Sequence, residues 1–102
     1  PPEHGTFEHL DKLWRGDEKL KIQAAQQWRD LAEKTRTDYG RIVDKVILPK
    51  WGTDQVADLD LEMCIAVRDE RRGTPRMANY IINVLASMLW VAVERPSVCF
   101  QT

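Results

Sequence analysis

The stretch from Pro75 to Glu94 sets an apolar residue at nearly every third or fourth position, so that Met77, Tyr80, Ile81, Val84, Leu85, Met88, Leu89 and Ala92 share one side of a helix. Its start is marked chemically. Thr74 can cap the first turn, and Pro75 fits the first helical position, where its missing N–H costs nothing. A long helix with one greasy side needs other helices to cover it, because alternating strand patterns are nearly absent from the chain. The sequence therefore predicts an all-α protein: a compact bundle of four to five helices.

The partner helices follow from caps and breakers. Thr6 reads as the N-cap of a helix to about Trp14 that carries Phe7, Leu10 and Leu13 on one face, with His9 at its third position and Gly16 as its stop. A second helix is expected over about Glu18 to Glu33, with Leu20, Ala24, Trp28, Leu31 and Ala32 near one face. Thr35 reads as the cap of a third, with Asp38 three residues on, followed by the stripe Tyr39, Ile42, Val43, Val46 and Ile47. That helix is expected to stop at about Leu48, because Pro49 disfavours a helical residue before it, and Trp51-Gly52 reads as a turn. Asp60 caps a fourth helix to about Arg72, with Leu61, Cys64, Ile65 and Arg68 on one side and Gly73 as its stop. The domain is expected to span 1–95, leaving 96–102 as a tail or the start of a linker.

Length and composition exclude several classes of function. A chain of 102 residues holds one modest core. No run of 18 apolar residues occurs, and the N-terminal stretch lacks the basic and apolar regions of a signal peptide, so a cytoplasmic protein with no membrane association is expected. Cys64 and Cys99 fit no metal or disulfide pattern. His4 and His9 lack metal-ligand spacing and are expected at the surface, and Asp54, Asp58, Asp60 and Glu62 lack the glycine and terminal glutamate of a calcium loop. The glycines are scattered singly, so no phosphate-binding loop or nucleophile elbow is present. No metal, cofactor or catalytic constellation is implied. Trp14, Trp28, Trp51 and Trp90 are expected to pack in the core.

The net charge is -1, yet it is unevenly distributed. Residues 34–50 carry five basic and two acidic groups, residues 51–67 none and four. On the third helix Lys34, Arg41 and Lys45 are seven and four residues apart and fall in one stripe away from the apolar face, with Arg36 near the same end. On the last helix Arg76, Asn79, Asn83 and Ser87 recur at three and four, forming a polar stripe. An Asn pair has the donors and acceptors to reach base edges, while Arg76 and the helix N-terminus suit a phosphate.

The run from Leu31 to Arg95 resembles the core-binding domain of tyrosine recombinases, the phage integrases. Thr35 and Tyr39 match the family's Thr and Tyr four residues apart, and Pro49 with Trp51-Gly52 matches its aromatic-Gly turn after an apolar helix. Leu59-Asp60 opens the capped helix, Ala78-Asn79 lies near the start of the last helix, and Ala92-Val93-Glu94-Arg95 closes it. The chain departs from the family at Met77 and Tyr80, where a Thr and an Arg are common.

The resemblance implies a SAM-like domain that grips one side of duplex DNA at the core recombination site, while the family's catalytic domain, with its Tyr nucleophile, cuts and rejoins strands. It implies phosphate contacts from Lys34, Thr35, Arg36, Arg41, Lys45, Arg72 and Arg76, and groove contacts from Asn79 and Asn83. Double-stranded DNA and further protomers of the same recombinase are the partners implied, in a bacterial or phage-encoded protein. The catalytic constellation cannot be placed in these residues, so this chain is expected to bind DNA without cutting it. The rival expectation is a helical protein-interaction module with an exposed apolar face near Trp14, Trp28 or Trp90.

Overall fold

The computed structural model describes residues 3–94. The chain forms helices α1 (Phe7–Arg15), α2 (Gln26–Arg29), α3 (Glu33–Ile42), α4 (Leu48–Trp51), α5 (Leu61–Glu70) and α6 (Pro75–Glu94). A π turn, Val43–Ile47, joins α3 to α4 without a break, so the segments make five rods, with a 3₁₀ turn at Val56–Asp58. Among the described residues there is no strand, only isolated bridges between Thr6 and Gln55 and between Asp17 and Ile22. The fold is a compact all-α globule. Cys99 and the expected tail lie outside the described residues.

The long apolar helix is the centre of the core. α1, α5 and the α3–α4 rod all pack on α6. Its buried side is Ala78, Ile81, Val84, Leu85, Met88, Val91 and Ala92. The expected stripe was rotated slightly from this: Met77 is 39% exposed, and Tyr80 and Leu89 are only half-buried. By length and mean hydropathy α6 would pass for a membrane span. Its apolar face is instead covered by Phe7, Leu10 and Trp14 of α1 and by Val43 and Ile47 of the π turn, all fully buried.

Local chemistry accounts for α1. The Thr6 hydroxyl accepts from the His9 N–H at 3.2 Å and donates to the Glu3 carbonyl at 2.6 Å, as an N-cap should. Gly16 ends the helix at φ 81°, where an added Cβ would stand 2.7 Å from the Ala24 nitrogen. His9 departs from expectation. It is buried, because its position on α1 turns it inward with Leu13, and its ring lies 4.3 Å from that of His4.

The helix expected over residues 18–33 is reduced to the single turn of α2. Asp17 accepts from the Leu20 N–H at 3.0 Å and pairs its backbone with Ile22, and Lys21 takes a left-handed φ of 57°. This side-chain turn competes with helix formation and leaves Leu20 in solvent. Thr35 is likewise no cap: α3 begins at Glu33, with the N-cap at Ala32, three residues before the expected one, and Thr35 inside the first turn. Packing of Trp28 and Leu31 on the core fixes the chain's entry there and overrides the local capping signal.

Pro49 does not end the third helix. The π turn places the Leu48 N–H on the Val43 carbonyl, five residues back, and this widened turn precedes the proline ring, which then sits in the first turn of α4. Helical geometry continues to Trp51, whose ring is buried against Phe7 with centroids 6.1 Å apart. In α5 the Asp60 cap forms, its carboxylate accepting from the Met63 N–H at 2.9 Å. The helix ends at Glu70, and Gly73 lacks the left-handed φ of a terminal glycine. Val67 is the one fully buried residue of α5. Leu61 and Arg68, expected on the core side, are exposed, because α5 presents the Met63–Val67 side to α6.

Candidate nucleic-acid interface

The basic stripe of the third helix is built by α3 and kept in line across the π turn. Lys34, Arg41 and Lys45 are all exposed. Opposite them Ile42, Val43 and Ile47 hold the rod to the core, so the stripe faces solvent as a consequence of burial behind it. The rod is also fastened to α1 by charge. Arg15 donates to both carboxylate oxygens of the buried Asp11, at 2.6 and 2.8 Å, and to Asp44 of the π turn at 2.8 Å. Burial alone would lower the Arg15 pKa, but hydrogen bonds to Asp11 and Asp44 outweigh it and raise the pKa above the ordinary arginine value.

Between α3 and the first turns of α6 lies an open trough. One depression of about 220 Å³ is lined by Asp38, Arg41, Ile42, Met77 and Tyr80. A second of about 300 Å³ is lined by Thr74, Arg76, Met77 and Tyr80. Met77 and Tyr80 line both, so the two depressions adjoin, with Arg41 at the first and Arg76 at the second. Burial, and then the charge of Asp38, push the Tyr80 hydroxyl pKa up.

The structure therefore brings Lys34, Arg41 and Lys45 together along α3 and the π turn, and places Arg76 at the depression that adjoins the one lined by Arg41. Among the described residues none of these four lies within ion-pair distance of a carboxylate, whereas Lys12, Arg15 and Lys50 are all paired. Other expected residues stand apart. Arg36 is half-buried, with its guanidinium donating to the Arg29 carbonyl at 3.4 Å. Arg72 lies in the turn after α5, exposed and loosely paired with Asp69 at 3.8 Å. Thr35 is half-buried inside α3. Asn79 and Asn83 are exposed along α6 with Arg76, but Asn79 lies two positions after Met77, which sets them roughly 160° apart around the axis. Asn79 is thus on the far flank from the trough, and Asn83 is nearer to it.

Sequence reasoning placed Met77 in the core and gave Asp38 a capping role, and so missed both as trough residues. An apolar stripe shows which way a residue points, but not how fully a neighbouring rod covers it. A further apolar surface lies at the other end of α6. Trp90 is 55% exposed and Val93 65%, beside a shallow depression lined by Gln27, Leu31, Ala86 and Ser87. Trp14 and Trp51 are buried and Trp28 half-buried, so Trp90 is the tryptophan that departs from the expected core role. Among the described residues no three His, Cys, Asp or Glu side chains gather as a metal site. No family model, curated protein or solved structure matches the chain.

Proposed function

We propose that this chain is a DNA-gripping domain of the tyrosine recombinase type, with a SAM-like core-binding fold, which holds duplex DNA while the family's catalytic machinery cuts and rejoins it. The observation that carries the proposal is the basic face itself. Lys34, Arg41 and Lys45 on one rod and Arg76 on the next are exposed without carboxylate partners among the described residues. Cations left unpaired on a rigid face suit phosphates, whose neutralisation releases counterions. The ordered resemblance from Thr35 to Arg95 supplies the recombinase part of the proposal. On this reading Arg36 and Thr35 support the rod, Asn83 is better placed for the groove than Asn79, and no residue here cleaves DNA.

A titration of duplex DNA tests it. Binding is expected near ~50 mM salt and should weaken steeply by ~200 mM, because log K falls by about 0.9 per phosphate contact for each tenfold rise in salt. The pair R41A and K45A should flatten that slope by about two contacts. Absence of binding near ~50 mM salt would remove the gripping role. The competing reading, a module that docks another protein, is favoured by the exposed Trp90 and Val93, and it would survive that result.

A further inference from the structure

We propose that the outward face of α6 is a self-association surface, on which two copies of the chain pair their α6 helices antiparallel about a two-fold axis. The proposal goes beyond DNA gripping and does not depend on it. Opposite the buried side of α6, Arg76, Asn79, Asn83, Ala86, Trp90 and Val93 are all exposed. They follow one another at steps of three, four, three, four and three, the spacing by which one helix offers a continuous seam to another. The second half of the seam is apolar. Trp90 and Val93 are the most exposed large apolar side chains of α6, and Ile82 and Leu89 lie half-buried along the same edge. α6 thus carries apolar side chains on two opposite sides, and the fold covers one of them.

Charge sets the direction of the pair. Arg76 starts the seam and Glu94 follows its last residue. Both are exposed, and neither has an oppositely charged partner within ion-pair distance among the described residues. A parallel pair would set Arg76 on Arg76 and Glu94 on Glu94, like charges that repel. An antiparallel pair sets Arg76 beside the partner's Val93 and the partner's Glu94, so each end gains an ion pair. The same register puts Asn79 opposite the partner's Trp90, whose indole N–H can donate to the amide oxygen, and Asn83 opposite the partner's Ala86. Ala86 and Ser87 line the depression of about 290 Å³ beside Trp90, so the middle of the seam has room for the partner's side chains. At 1.5 Å per residue the seam runs ~26 Å, which makes the contact small and reversible. In a given protomer Arg76 and Asn83 serve either this pair or DNA, while Lys34, Arg41 and Lys45 take no part in it.

Sedimentation equilibrium of the whole chain at low salt, from about 10 µM to ~1 mM, tests the pairing. Wild type should pass from monomer to dimer within that range. W90A should raise the dissociation constant at least about thirtyfold. R76E and E94R should each raise it roughly three- to tenfold, and the two changes combined should restore the wild-type value. Urea midpoints of the monomers should stay at the wild-type value, because these side chains are exposed, and so separate a weaker dimer from a weaker fold. A chain that stays monomeric to ~1 mM overturns the proposal, as it would if a different protein covered the seam. A dimer unmoved by W90A, or one that the combined charge exchange fails to restore, overturns it as well.

Discussion

Tyr39 of α3 and Tyr80 of α6 meet edge to face, their ring centroids 5.6 Å apart and their planes at 88°. This pair joins the rod that carries the basic stripe to the helix that carries Arg76, so it fixes the width of the trough between them. An edge-to-face pair contributes about 0.5–1.5 kcal/mol beyond its buried area. A double-mutant cycle of Y39L and Y80L, followed by urea denaturation, should return a coupling in that range. Additive losses would mean that the two helices are aligned by other contacts.

The Arg15 network should respond unequally to loss of its two carboxylates. Asp11 is nearly buried and Asp44 largely exposed. D11A leaves a half-buried guanidinium short of its main partner and should cost about 2–4 kcal/mol. D44A breaks an exposed, solvent-screened pair and should cost less than about 1 kcal/mol. A denaturation series in which D44A is the more damaging change would contradict this division.

Stability should fall as the pH drops through the histidine range. Burial, and then the charge of His4, depress the His9 pKa below its usual 6.5. The unfolded chain therefore binds a proton before the folded one does, and stability is lost as the pH falls below the unfolded value. The Nδ1 atom of His9 is buried with no hydrogen-bond partner among the described residues, so no acceptor rewards protonation there. Thermal melts between pH 7.5 and ~5 should show a falling Tm, and the fall should be shallower in H9Q. Asp17, whose pKa is lowered by its hydrogen bond to Lys12, acts only in a separate window below about 4.

Two glycines should react in opposite directions to alanine. Gly16 holds a φ of 81°, and a Cβ there would lie 2.7 Å from the Ala24 nitrogen and 2.9 Å from the Ile22 oxygen, so G16A should destabilise by more than about 1 kcal/mol. Gly73 has open space around it and no left-handed φ, so G73A should stabilise by about 0.4–1 kcal/mol through the unfolded chain. Midpoints of urea unfolding distinguish the two, and a stabilised G16A would be incompatible with the backbone described.

How far the chain can be read from its sequence depends on how local each signal is. The Thr6 and Asp60 caps were legible because each is one side chain meeting a backbone N–H three residues on. Thr35 offered the same signal and lost to the packing of Trp28 and Leu31, which no local pattern encodes. The 18–33 segment looked helical by apolar spacing, but Asp17 turned the chain back instead. The stripe of Lys34, Arg41 and Lys45 was legible from periodicity. The exposure of Met77 was not, because whether it is covered depends on how closely another rod packs on the first turn of α6.

The π turn at Val43–Ile47 also gives the rod a place that can absorb a change in length. Such a turn accommodates one residue more than an α-helix of the same rise. Deleting a single position there should restore a regular helix and leave what lies beyond it close to its present register, with Trp51 still against Phe7. The same deletion within the regular turns of α3 would swing everything beyond it by roughly 100° about the axis and carry Trp51 away from that contact. Variants of this chain should therefore tolerate the loss of one residue in the π turn far more readily than in the helix before it.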